Sequence, residues 1–214
     1  MNITIFGASG AIGQLLTKLA LEQGDIVTAY VRKPTSMTQS HDNLRLIVGQ
    51  LTEQAKIEQA IANADVVIST LGPAMDTSRK LKGTPIADGH DLIIKTMKML
   101  NKKRFITLAT PSIHAGEDRK SISTVLPGIM AKMMFPNAYQ DMVKIEQLIK
   151  SSTLDWTVVR IINPNAKHKS NSYGISLGDK PAKMSVSRKN IAQFMYSVAS
   201  EHSYVCQMPI VFNK

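Results

Sequence analysis

Residues 2–13 read NITIFGASGAIG, a β-branched, apolar run that stops on Gly7 and is followed by Gly10 and Gly13. Immediately downstream, Ile12 to Leu21 carries Leu15, Leu16 and Leu19 at helical spacing. Strand, glycine turn and helix in that order form the opening of a phosphate-binding unit. Gly7 permits the tight turn, Gly10 lets backbone approach a pyrophosphate, and Gly13 allows the helix to pack close on the strand. The first amides of the helix then face the anion, aided by the helix dipole. The spacing is G-x-x-G-x-x-G rather than G-x-G-x-x-G, with the same mechanics. Alone the glycines carry little; between a strand and an amphipathic helix they indicate dinucleotide binding.

The rest of the chain repeats the alternation. DIVTAYVRK (25–33) and LRLIVGQ (44–50) read as strands, Glu53 to Ala62 as a helix, and DVVISTLG (65–72) as an unalternating apolar strand. Such a strand suits a parallel sheet covered on both faces. A helix over 86–101, a strand over 104–110, a helix over 138–151 and a strand over 156–162 follow. Residues 173–187 look like two short strands around a turn at Gly178-Asp179. Ser187 is placed to cap a helix bearing Ile191, Phe194, Met195 and Val198 on one side. CQMPIVF (206–212) is a candidate closing strand. The expected fold is α/β, a doubly wound, Rossmann-like parallel sheet with helices on both faces, formed by residues 1–214 as a single domain.

Composition narrows the partners. The 214 residues hold 26 Lys and Arg against 16 Asp and Glu, a formal charge of +10. The basic residues are scattered, with short groups only at Lys102, Lys103, Arg104 and at Lys167, His168, Lys169, and no aromatics interleave with them. That pattern fits a solvated surface attracting anionic small molecules better than a nucleic-acid platform. No apolar stretch is long enough to span a bilayer, and no signal peptide is visible. Cys206 is the single cysteine, which suits a reducing, cytoplasmic compartment.

In open α/β sheets ligands bind beyond the carboxyl ends of the strands, at the switch in strand order. The candidates are therefore Gly7–Gly13, Arg32, Gln50 with Leu51, Thr70–Gly72, Thr110–Ile113 and Ile162–Pro164. An NAD-binding chain usually carries an acid at the end of the second strand to accept from the ribose 2′-hydroxyl. This chain ends that strand Tyr30-Val31-Arg32-Lys33, so Arg32 is set to grip a 2′-phosphate and NADP(H) is the expected cofactor. Lys33 reads as a surface residue.

Catalytic residues are less defined. The nearest Tyr/Lys pair is Tyr139 and Lys144, five apart and so about 140° around a helix, while Val143 occupies the i+4 position. The Tyr/Lys dyad used by many reductases of this architecture is absent. Ser112, after the fifth strand, is positioned either to donate a hydrogen bond at a nicotinamide or to cap a turn behind Pro111; position favours the former. His114 reads as a proton donor or as a surface histidine. Met130, Met133, Met134 and Phe135 form either a pliable apolar wall or ordinary core packing. Histidines 41, 90, 114, 168 and 202 show no metal-ligand spacing.

IFGASGAIG, VRK, STLGP, LATPS, LDWTVVR and YGISLG…MSVSRKNIAQFM, in that order, resemble the atypical short-chain dehydrogenase/reductases of the NAD(P)H-binding, NmrA-like family. Within it, the chain is most similar to the flavin reductase and biliverdin-IXβ reductase group. The resemblance implies that Gly7, Ser9, Gly10 and Ile12, with Ala11 and Gly13 beside them, line the pyrophosphate. It passes Leu71 and Gly72 along the adenosine ribose side, with Leu51 and Thr70 also among the cofactor-binding residues, and places Pro111 and Ser112 near the nicotinamide. Ile162, Asn163 and Pro164 would close its other edge. It further implies direct hydride transfer from NADPH to a flat conjugated acceptor such as a flavin or quinone, with no dyad needed. A non-catalytic NADP(H) sensor of the NmrA-like type needs the same cofactor residues. A nucleotide-sugar epimerase or dehydratase would need the missing dyad. Three positions depart from the group: Gln50 follows Gly49 where an acid is usual, Lys33 adjoins Arg32 directly, and Asn163 replaces a histidine.

Overall fold

Unbroken apolar runs such as Val66–Ser69 and Arg104–Ala109 can only be satisfied by a sheet with both faces covered, and both strands are buried throughout. A computed structural model of the chain describes residues 1–72, 83–109, 132–164, 172–179, 182–183 and 185–214. Eight strands join one sheet: β1 (Asn2–Phe6), β2 (Ile26–Val31), β3 (Leu44–Val48), β4 (Val66–Ser69), β5 (Arg104–Ala109), β6 (Asp155–Ile161), β7 (Tyr173–Ser176) and β8 (Ile210–Asn213). Their order is β3-β2-β1-β4-β5-β6-β8-β7, parallel except for the β7–β8 pair at one edge. The doubly wound, Rossmann-like sheet expected from the sequence is present, and strand order reverses between β1 and β4, where Phe6 is in register with Ser69.

Helices α1 (Ala11–Glu22) and α5 (Arg188–Ser200) pack on one face, burying Leu16, Ala20, Phe194 and Met195 against Ile3, Ile5 and Val159. Helices α2 (Gln54–Ile61), α3 (Pro85–Met99) and α4 (Pro136–Lys150) cover the other. There Ile57, Ile93, Met97 and Ile145 meet Phe6, Val67, Phe105 and Trp156. The Ser187 side chain accepts from the Asn190 amide, so the predicted cap of α5 forms.

Three local expectations change. Residues 173–187 do not fold back as a hairpin: β7 pairs antiparallel with β8, while Val186 bridges to Pro164. Ser176 Oγ accepts from the Gly178 amide, and Asp179 accepts from that of Leu177, closing the turn on side chains. Pro181, which cannot donate to a ladder, follows. Arg104 does not belong to a basic surface group, because it is buried. Its guanidinium donates to the carbonyls of Asp155, Val198 and Ser203 and to Thr157 Oγ1 at 2.7–3.0 Å. Met133 and Met134 are 75% and 54% exposed and take no part in the core. The group at 167–169 lies outside the described residues, as does Met130.

Candidate functional site

The turn after β1 is built by steric necessity. Gly7 has φ of +80°, and a Cβ there would stand 2.8 Å from Thr70 Oγ1. A Cβ on Gly13 would stand 2.2 Å from the Gly7 carbonyl oxygen and 2.8 Å from Ala8 Cα, so α1 rests directly on the turn. Both positions therefore require glycine for the fold itself. Gly10 differs. Its amide donates to Gly7 O at 2.9 Å, yet a Cβ on it would meet only that oxygen, at 3.2 Å. Gly10 and Ala11 are exposed, Ser9 and Ile12 half-buried. No side chain caps α1 and no carboxylate sits in its first turn, so its leading amides face outward unneutralised.

Thr70 ties the two central strands together where they end: its hydroxyl lies 3.0 Å from Gly7 O and 3.2 Å from Phe6 O, and donates to them. Leu71 is half-buried and Gly72 exposed, with no atom of the described residues within 4 Å of the place its Cβ would occupy. At the end of β2, Arg32 and Lys33 are exposed, and Arg32 has neither a hydrogen bond nor an ion pair among the described residues. After β3, Gly49 is held glycine by the Tyr30 hydroxyl, 2.3 Å from its would-be Cβ. That hydroxyl donates to Gln50 O at 2.7 Å, and the Gln50 amide donates to Glu53. Burial, reinforced by the Glu53 charge, pushes the Tyr30 phenol up to about 12. Leu51 packs on Gly89 of α3.

On the far side, Ile162 is buried while Asn163 and Pro164 are exposed. Asn163 adopts φ of +42°, a left-handed conformation that Asn tolerates better than most residues. Thr110, Pro111, Ser112, Ile113 and His114 lie outside the described residues. The fold thus gathers Gly7–Gly13, Arg32, Leu51, Thr70–Gly72 and Ile162–Pro164 at the carboxyl end of one sheet.

Two buried groups escaped the sequence reading. His90 of α3 is fully enclosed; its Nδ1 donates to Ile86 O at 2.8 Å, which leaves Nε2 to accept from Ser69 Oγ at 3.0 Å and Thr107 Oγ1 at 3.2 Å. Desolvation holds this imidazole down at about 4, against a weaker upward pull from its bond to Ile86. Asp141 of α4 accepts the amides of Ile86 and Ala87, at 3.2 and 2.6 Å. Burial pushes its carboxyl above the usual range while those amides pull the other way. The helical spacing of Ile86 and His90 was the available signal for the first. For the second there was none, because the contact spans over fifty residues. Lys144 is not a free catalytic base: its Nζ sits 2.6 Å from Asp88 Oδ1 and 3.1 Å from Thr84 Oγ1. Among the described residues no three His, Cys, Asp or Glu gather to hold a metal, and no helix is long and apolar enough to cross a membrane.

A glycine turn under an uncapped helix, set at the switch point of a doubly wound sheet, defines a nucleotide-binding fold of the dehydrogenase type. Residues 7–202 match the family model described as NAD(P)H-binding, and the chain belongs to that family; its cofactor is a nicotinamide dinucleotide. Its fold is shared with a short-chain dehydrogenase/reductase from Veillonella parvula crystallised in complex with NADP. The TM-score is 0.78 at 22% identity, over 99% of this chain and 94% of that one. It is shared also with ChuY, an anaerobillin reductase from Escherichia coli O157:H7, with TM-score 0.76 at 18% identity over 100% and 97% of the two chains. In sequence, the phenylcoumaran benzylic ether reductase IRL1 of Ginkgo biloba is 28% identical over 167 residues, 74% of this chain. The match spans about half of that relative, 47% of its length.

Proposed function

We propose that this protein is an NADPH-dependent oxidoreductase of the atypical short-chain dehydrogenase/reductase kind. It reduces a flat conjugated acceptor such as a flavin or quinone. The observation that carries the cofactor preference is Arg32, exposed and without a partner among the described residues at the end of β2, the strand next to β1 and its glycine turn. A guanidinium with no anion of its own suits a 2′-phosphate. Gly10 and Gly72 fit the same ligand: among the described residues a Cβ would meet one oxygen at 3.2 Å at Gly10 and nothing within 4 Å at Gly72.

When bound, the nicotinamide supplies the hydride. The amides at the start of α1 would hold the pyrophosphate, with Ser9 and Ile12 beside them, and Leu51 and Thr70–Gly72 would line the adenosine side. Ile162–Pro164 would close one edge of the nicotinamide; the family resemblance assigns Pro111 and Ser112 to its other side, with Ser112 as the candidate hydrogen-bond donor. The chain's part would be to bind and orient the two ring systems against each other, with no general base asked of its side chains.

Two measurements test the proposal. Loss of reduced-nicotinamide absorbance is followed with FMN, FAD and a quinone; oxidation of NADPH supports the reductase, and silence across the panel with NADP affinity retained supports the sensor. Arg32→Ala should weaken NADPH binding by roughly 10–100-fold, the worth of a charge-assisted contact, and leave NADH within about two-fold. Equal losses for both cofactors would remove Arg32 from the site.

A further inference from the structure

Arg32 ends β2, and the residues after it form an ordered arm. Lys33 O accepts from both the amide and the hydroxyl of Ser36, and Pro34 O accepts from the Met37 amide, closing a single 3₁₀ turn over Pro34–Ser36. Met37 is buried in the cluster that also holds Leu16 of α1. Two residues on, the half-buried Gln39 donates from Nε2 to the backbone carbonyl of Gln14, in the first turn of α1, at 2.8 Å. Gln14 spends its own side chain on the glycine turn, its Nε2 donating to Ser9 O at 2.9 Å. The arm after Arg32 and the turn after β1 are thus fastened to one residue of α1, the first through its backbone and the second through its side chain.

Chemistry fixes which way Gln39 points. A carbonyl can only accept, so the amide nitrogen and not Oε1 must face Gln14 O. Oε1 is left buried with no partner among the described residues. An unpaired buried acceptor costs about as much stability as a typical hydrogen bond contributes, so the two ends of this amide nearly cancel. For the fold alone, an unbranched apolar side chain of the same length would serve as well. What the contact does is join two places where a dinucleotide would be held. Ser9 lies in the pyrophosphate turn, and Arg32 stands seven residues before Gln39.

We infer that Gln39 is a positioning residue for cofactor choice: by latching the arm after β2 onto α1, it holds Arg32 in register with the glycine turn, so that a 2′-phosphorylated dinucleotide meets both at once. The inference rests on the reading of Arg32 as the ligand of the 2′-phosphate. An exposed guanidinium loses conformational freedom when it binds, and an ordered arm on its carboxyl side lowers that cost in advance. NADH has no 2′-phosphate and draws nothing from this ordering. The latch uses the backbone carbonyl of Gln14, so it and the Ser9 contact can be broken separately.

The experiment compares wild type with Arg32→Ala, Gln39→Met, Gln39→Ala, Gln14→Met and the double variant Arg32→Ala/Gln39→Met. The Kd values for NADPH and NADH are measured by titration, beside thermal unfolding and amide hydrogen exchange over residues 33–39. Gln39→Met should weaken NADPH binding by roughly fivefold, the worth of one net hydrogen bond, leave NADH within about two-fold and melt close to wild type. Exchange at Ser36 and Met37 should rise by about the same factor. Gln14→Met keeps its backbone carbonyl and therefore the latch; it should weaken both cofactors alike. In the Arg32→Ala background Gln39→Met should have no further effect on NADPH, a non-additivity that a purely structural contact would not produce. Equal losses of NADPH and NADH in Gln39→Met, or a full further loss in the double variant, overturn the inference. Gln39→Ala must show the same split, so that packing of the methionine cannot mask it, and no split in either variant overturns the inference. If Arg32→Ala weakens both cofactors equally, the Arg32 reading fails and the inference falls with it. A selective loss in Arg32→Ala with none at Gln39 overturns the inference alone.

Discussion

At the scale of the single residue, the three glycines of the opening turn divide between two roles, which their spacing does not separate. Gly7 and Gly13 are demanded by the chain's own packing, whereas Gly10 meets only one oxygen at 3.2 Å and is exposed. Alanine at 13 should cost about 1–3 kcal/mol of stability, because its methyl carbon would have to displace a backbone carbonyl. Alanine at 10 should leave the melting temperature close to wild type and weaken NADPH binding roughly tenfold or more, through lost approach of the pyrophosphate. Thermal unfolding and nucleotide titration of the two variants check this, and a Gly10→Ala protein that binds NADPH normally would place the phosphates elsewhere. The glycine pattern was legible because turn sterics are local. Which glycine serves the fold and which faces a ligand depends on how tightly the turn folds back on itself and, for Gly7, on Thr70 over sixty residues away.

Within and between the elements, α3 is held by contacts that titrate. His90 is buried as the neutral imidazole, pushed down to about 4 from its ordinary 6.5. As pH falls from 7, the unfolded chain takes up the proton first, so stability is fully present above about 6.5 and is lost as pH falls towards 4. The full effect is about 3 kcal/mol, with most of it gone by a pH of roughly 4.5. Urea unfolding at pH 7 and 4.5 should show a drop in wild type that is smaller by about 2–3 kcal/mol in His90→Asn. Equal drops in both proteins would mean that His90 is not the titrating group. Helix and strand identities came through in the sequence because apolar spacing reports buried faces directly. The edge pairing of β7 with β8 did not, because a turn signal such as Gly178-Asp179 marks where a chain bends and leaves its next neighbour open.

For the whole molecule, the two ends of the sheet divide the labour. The carboxyl end carries exposed Arg32 and the uncapped α1; the amino end of β5 carries buried Arg104, bound to β6, to α5 and to the segment after it. Desolvation lowers the guanidinium's proton affinity, though arginine keeps its charge even so. Arg104→Met should destabilise the protein by about 3 kcal/mol or more, since it strands several buried acceptors, without changing NADPH affinity in the folded molecule. Denaturant titration and nucleotide binding of that variant separate the two effects, and an altered affinity would contradict the division of labour. Residue type, spacing and periodicity determined the strand–helix alternation, the nucleotide-binding turn and the missing Tyr/Lys dyad, because each of these is set by neighbours within a turn or two of chain. Tertiary structure alone decided that Arg104 is a clamp while Arg32 has no partner among the described residues, that His90 is neutral, and that Asp141 caps a helix not its own. Charge, burial and hydrogen bonding depend on what the fold brings together across fifty or a hundred residues.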